Sequence, residues 1–165
     1  MELWDAYTRE GRRTGETLVR GEPVPKGCYH MVCEIILRHE DGTYLAMKRD
    51  PRKLSYPDHY EGTAGGAAQK GESPLDCAMR ELREETGIEG QNFRQVGFGI
   101  YGQGLVYSFF CTTDAPKDSV TLQEGETVDY KWLDEAALQA FMASDECVPP
   151  AVIRLKKLLD NQIIP

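Results

Sequence analysis

Glu81, Glu84 and Glu85 stand within five residues of one another in the run RELREE, beside Arg80 and Arg83. An i, i+4 pair of like charges with a third beside it weakens a free helix. Such a group is either a solvated face, the ordinary fate of Glu-rich helices, or a set of ligands awaiting a cation. Hard carboxylate oxygens on one rigid surface suit Mg²⁺ or Mn²⁺, which keep waters and share substrate phosphates.

The surrounding residues specify a helix over 74–86. Ser73 is a good N-cap, Pro74 fits the first helical position, and Asp76 sits three residues past the cap. Gly87 supplies a left-handed stop. At about 100° per residue, Leu75, Ala78, Met79, Leu82 and Thr86 form one stripe, expected to be buried. The three glutamates flank that stripe, where partial desolvation either raises their proton affinity or favours a cation. Arg83 and Asp76 point to solvent. Arg80, four residues before Glu84, is placed to pair with it.

The rest of the chain must position this helix. "CYHMVCEIILR" and "TYLAMKR" flank Asp41-Gly42, a strong hairpin signal. "YEGTAGG" reads as one short strand running into paired glycines. "RQVGFGIYG", "LVYSFFCTT" and "TVDYKWL" read as further strands. Asp134 caps "EAALQAFM", and Pro149-Pro150 opens a last helix with Val152, Leu155, Leu158 and Leu159 on one face. Residues 1–27 read as an arm or hairpin turning near Glu10-Gly11, then a Pro/Gly connector. Strands and helices mix without strict alternation, so a mixed sheet covered by helices is expected.

Composition narrows the function. The 165 residues suit one domain with a real core, 41% hydrophobic and 28% charged. A formal net charge of −8 argues against a nucleic-acid binder working through a basic face. It leaves room for small phosphorylated substrates, because a bound metal inverts the local charge. The start "MELWDAYTRE" has no basic segment followed by an apolar run, and the apolar runs are short, so neither signal peptide nor membrane helix is expected. Five scattered cysteines without CxxC or zinc spacing read as reduced thiols of a cytoplasmic protein.

The acidic helix and its approach resemble the Nudix box: Gly66, Glu72, Arg80, Glu81, Leu82, Glu84, Glu85, Gly87 and Ile88 fill every fixed position at the right spacing. The resemblance spans residues 66–88, and the strands around it are similar to a Nudix α/β/α sandwich over 1–165. It implies divalent-metal-dependent hydrolysis of a nucleoside diphosphate linked to another moiety. Glu81, Glu84 and Glu85 would hold Mg²⁺ or Mn²⁺, with the Gly65 carbonyl as a further ligand. The cation would acidify water and neutralise phosphoryl charge. Gly65 and Gly66 would allow a tight strand-to-helix loop, while Glu72 and Arg80 would orient it and the ligating carboxylates. The general base stays open between Glu81 and the loop acids Glu124 and Glu126. Lys48, Arg49, Arg52 and Lys53 are candidates for substrate phosphate. Tyr56, Tyr60, Tyr101 and Tyr107 either stack on a base or fill the core.

The first half, with "WDAYTREGRRTGETLVRG" and "YLAMKRDPRKLSYPDHYEGTAGG", looks like the Nudix branch that includes isopentenyl-diphosphate isomerases. That reaction needs a cysteine in the strand before the box, and "YEGTAGG" has none. A binding module without chemistry is the third alternative; such modules usually lose a box glutamate, and this chain keeps all three. The arm is also a candidate for pairing across a homodimer.

Overall fold

Alternation along one strand sets the two faces of the sheet. In β3 (His30–His39), Met31, Cys33, Ile35 and Leu37 point one way while Glu34 and Ile36 point the other. The computed structural model describes residues 1–62 and 64–165. Before β3 come β1 (Leu3–Tyr7) and β2 (Arg13–Val19), an antiparallel pair forming its own small sheet. This hairpin docks on the chain through Tyr7 and Tyr29, whose backbones exchange bonds of 2.8 and 2.9 Å. Trp4 stacks on His30 with ring centroids 4.5 Å apart.

After β3 follow β4 (Tyr44–Arg49), β5 (Tyr60–Glu61), β6 (Ala64–Ala67), α1 (Pro74–Thr86), β7 (Gln91–Tyr101), β8 (Gly104–Thr113), β9 (Thr127–Leu133), α2 (Glu135–Met142) and α3 (Pro149–Asp160). A single 3-10 turn, Lys117–Ser119, interrupts the long loop before β9. The main sheet is mixed: β3 runs parallel to β8 and antiparallel to β6. β4 lies antiparallel between β5 and β9, and β7 pairs with β8.

β3 and β4 share only the Arg38–Tyr44 register pair before they part. The expected single strand in "YEGTAGG" is therefore two. β5 follows β4, whereas β6 crosses to β3, with Val32 opposite Ala67 and Ile35 opposite Ala64. That split opens the sheet where Met47, Arg49, Glu61 and Gly65–Ala67 end, and all of them line one hollow.

Helices cover both faces, as expected for an α/β sandwich. Ala78 and Leu82 of α1 pack on Met31, Cys33, Ile35, Met47, Leu105 and Phe109. On the far face, Leu138 and Met142 of α2 with Leu155 and Leu158 of α3 cover Ile36, Tyr44 and Phe110. Asp134 caps α2 by accepting from the Ala137 N–H at 2.8 Å. No described helix is long and apolar enough to cross a membrane.

Candidate active site

Helix α1 is capped at both ends by the residues its sequence offers. The Ser73 hydroxyl accepts from the Asp76 N–H, Asp76 answers to the Ser73 N–H, and Gly87 adopts φ 71°. Its buried face differs from the apolar stripe. Leu75 and Met79 are 42% and 50% exposed, while Cys77, Ala78, Glu81, Leu82, Glu85 and Thr86 are buried. The helix is rotated toward its acids because β6 beneath them has almost no side chains. A Cβ on Gly66 would lie 2.5 Å from the Glu81 carboxyl carbon, and one on Gly65 would lie 2.4 Å from the Cys33 carbonyl oxygen. The two glycines therefore serve close approach inside a strand, not a tight loop. The loop before the helix turns instead at Gly71, with φ +92°.

Arg80 ties these pieces together. Its Nε and Nη2 donate to Glu72 at 2.7 and 3.0 Å, and its Nη1 donates to Glu81 at 2.7 Å and Glu84 at 2.9 Å. Nη2 also reaches the Ala67 carbonyl at 3.1 Å. Glu72 in turn accepts from the Gln69 N–H at 2.8 Å. The bond to Glu72 leads the effects that raise the Arg80 pKa, so the guanidinium is a fixed charge. A planar fork that spans four partners is a role lysine cannot fill.

Glu85 accepts from the Gly65 N–H at 3.2 Å. Burial, then the charges of Glu61 and Glu81, push its pKa well above the usual carboxylate range. Burial also raises Glu81, against the pull of Arg80, and raises Glu61, against the pull of Arg49. Three carboxylates that repel one another in a poorly solvated hollow call for added positive charge.

That hollow is a cavity of about 310 Å³. It gathers Glu61, Glu81, Glu84, Glu85 and Glu126 with Arg49, Lys53 and Arg80, over a floor of Gly65, Gly66 and Ala67. Lys53 pairs with Glu126 and Arg49 pairs with Glu61. The Asp50 N–H donates to the Glu126 carbonyl at 2.9 Å, joining the two loops. Lys48 and Arg52 do not line the cavity: Lys48 pairs with Asp58 at 2.7 Å and Arg52 with Asp50 at 2.7 Å. Glu124 is exposed outside it as well.

The sequence expectations assigned nothing to Glu61, to the Glu2–Arg20 pair at 2.7 Å, or to Gln69 and Gln123, all of which line the cavity. Glu61 carried a signal, as the lone charge between Tyr60 and Ala68. Glu2 and Arg20 meet only through the register of the β1–β2 hairpin, where Leu3 faces Val19.

Among the described residues, no three Asp, Glu, His or Cys side chains converge tightly enough to form a cation cage. A magnesium-type site needs none, since the ion keeps several waters and takes one or two carboxylates together with substrate phosphates. Within the bonds among described residues, Glu81, Glu84 and Glu85 each commit one oxygen, to Arg80 or Gly65, and keep the other. The donor set therefore fits a hard divalent ion.

The NUDIX domain family model matches residues 29–150. The chain belongs to the Nudix family. A Nudix hydrolase of Listeria monocytogenes is 32% identical over 151 residues, covering 90% of this chain and 89% of its own. The Nudix fold recurs in the crystal structure of DR0079 from Deinococcus radiodurans, with TM-score 0.72, 22% identity, and coverage of 89% and 92% of the two chains. It recurs too in a bifunctional NMN adenylyltransferase/ADP ribose pyrophosphatase from Francisella tularensis complexed with AMP and a Mn ion. There the TM-score is 0.64 at 14% identity, over 87% of this chain and 43% of that one. As a Nudix pyrophosphohydrolase, this enzyme keeps its box acids in the cavity that the split sheet opens. The matched segment begins at Tyr29, so the β1–β2 hairpin that brings Glu2 and Arg20 to the cavity lies outside it.

Proposed function

We propose that this Nudix hydrolase cleaves the diphosphate bond of a small phosphorylated substrate, with Mg²⁺ or Mn²⁺ held by Glu81, Glu84, Glu85 and the Gly65 carbonyl. The observation that carries this is the burial of Glu81 and Glu85 beside Glu61, each with raised proton affinity, in a cavity shared with Arg49, Lys53 and Arg80. When bound, the cation supplies Lewis acidity, lowering the pKa of water and offsetting phosphoryl charge in the transition state.

The chain's own residues do the rest. Arg80, fixed by Glu72, holds Glu81 and Glu84 in orientation from one side. Arg49 and Lys53 offer charge to the phosphates from the other side, in place of the outward-facing Lys48 and Arg52. Their acid partners Glu61 and Glu126 keep both cations aimed into the cavity. Glu81 on the box helix and Glu126 on the facing loop both line the cavity and are the candidates to take a proton from water.

Isomerisation of isopentenyl diphosphate is the alternative the first half of the chain raises. β5 and β6 contain no cysteine. The two thiols behind the box, Cys33 and Cys77, are fully buried, and the neighbouring Cys77 and burial push the Cys33 thiol far up, so it keeps its proton. These features favour hydrolysis. The test is a product assay with Mg²⁺ and Mn²⁺ over nucleoside di- and triphosphates, nucleotide sugars, ADP-ribose, coenzyme A and dinucleotide polyphosphates. Metal-dependent cleavage of a diphosphate supports the reading. Isomerisation of isopentenyl diphosphate without any cleavage overturns it, and nucleotide binding without product points to a binding module.

A further inference from the structure

The cavity that holds the box acids has an unusual wall for an enzyme of nucleotide chemistry. Its described lining is Glu, Arg, Lys and Gln over Gly and Ala, with Met47 and Thr127, and it contains no aromatic ring. The four tyrosines named above as stacking candidates, Tyr56, Tyr60, Tyr101 and Tyr107, do not line it. Tyr60 is buried, donates to Asp129 at 2.7 Å and meets Phe141 edge-on. Tyr107 packs on Phe98, with ring centroids 4.9 Å apart. Tyr101 lies in a separate groove beside α3, with the Arg154 guanidinium 5.8 Å from its ring. Tyr56 lines another hollow with His59 and Cys147. Trp132 is engaged by His39, and Trp4 by His30.

Stacking on an aromatic face is how proteins bind bases without regard to sequence, and reading a base edge needs fixed donors and acceptors at its rim. The cavity's described lining offers no ring to hold a base in place for such reading. It offers two carboxamides whose main chains are pinned. The Gln69 N–H donates to Glu72, and the Gln123 carbonyl accepts from the Glu126 and Thr127 N–H groups, both at 3.1 Å. A carboxamide carries donors and an acceptor together, which matches a hydroxyl, itself both donor and acceptor.

Resting on the hydrolase reading above, we infer that this cavity recognises the phosphate chain and the hydroxyls of the sugar or polyol next to it, and takes no binding energy from a nucleobase. The substrate class is a polyol-linked diphosphate, with or without a base. Arg49 and Lys53 grip the phosphates, while Gln69 and Gln123 grip the adjoining hydroxyls.

The test separates binding from turnover. Dissociation constants are measured by calorimetry, with Mg²⁺, for the methylene-bridged diphosphates of adenosine, guanosine, cytidine, uridine and base-free ribose, none of which can be cleaved at the bridge. The inference predicts five constants within about threefold of one another, whereas a stacked base is worth far more by the usual measure. A tenfold or greater loss on removing the base, or tenfold discrimination between bases, overturns it. So does failure of all five to bind. In a second arm, Gln123→Leu weakens the ribose compounds several-fold and leaves plain methylenediphosphonate unchanged; equal weakening of both overturns the role of Gln123. Hydrolysis of the oxygen-bridged counterparts is followed separately, so a protein that binds all five alike but cleaves no diphosphate loses the hydrolase reading and keeps the binding inference.

Discussion

Replacing Gly66 by alanine tests how tightly the box helix is seated on β6. The added Cβ would stand 2.5 Å from the Glu81 carboxyl carbon and 2.5 and 2.6 Å from its oxygens. Ordinary contact begins near 3.4 Å, so the carboxylate must retreat by about 1 Å, in line with the misplacement that costs an active site roughly 10²-fold. The retreat also strains its 2.7 Å bond to Arg80, whose other nitrogens are held by Glu72 and the Ala67 carbonyl. Because the atoms met are the far end of a side chain at the edge of the cavity, the stability cost falls at the low end of the roughly 1–3 kcal/mol of overpacking, a Tm lower by about 2–4 °C for a chain of this size, and the main loss is in kcat/KM. The assay is kcat/KM on a cleaved diphosphate with Mg²⁺, alongside a thermal melt with chelator. Gly99→Ala is the control, since its Cβ would meet nothing within 4 Å. If Gly66→Ala keeps activity within about threefold and melts with the control, the close approach of Glu81 to β6 is wrong.

Two further predictions concern charge. Glu61, Glu81 and Glu85 all have raised folded-state pKa values, led by burial, so above the ordinary glutamate value of 4.5 the folded state holds more protons than the unfolded one. Metal-free stability should therefore fall as pH rises from about 4.5 through their raised values; denaturant melts with chelator check this, and Glu85→Gln should flatten the slope. On the opposite face, Arg154 donates to both oxygens of Glu34 at 2.8 and 2.7 Å, and Ser108 donates to it at 2.6 Å. Arg154→Met should cost about 3 kcal/mol by stranding that carboxylate, with kcat/KM per folded molecule unchanged and stability partly restored by adding Glu34→Gln.

The helix was legible because its instructions are local. Ser73, Pro74, Asp76 and Gly87 specify Pro74–Thr86 wherever that helix sits. Its rotation was not legible. Leu75 and Met79 continue the apolar stripe in sequence, yet stand exposed because the bare glycine strand of β6 draws Glu81 and Glu85 inward. The division of "YEGTAGG" depends on β3 and β4 parting after one register pair, a long-range fact that no window of sequence contains. The same parting brings Glu61 to the site. Arg49 and Lys53 face the cavity while Lys48 and Arg52 do not, and their spacing alone could not have separated them, because Asp58 and Asp50 decide where the latter two point.

In the reading proposed above, the buried box carboxylates hold a divalent cation for hydrolysis of a diphosphate. The most direct test of that reading is turnover of a cleaved diphosphate under saturating Mg²⁺ by Glu85→Gln, with circular dichroism to confirm the fold. The side-chain amide keeps the shape and an acceptor for the Gly65 N–H while removing the charge. The prediction is a loss of about 10²–10³-fold in kcat, the scale of removing one strong transition-state electrostatic contact, with a native spectrum. Turnover near that of the unmodified enzyme would contradict it.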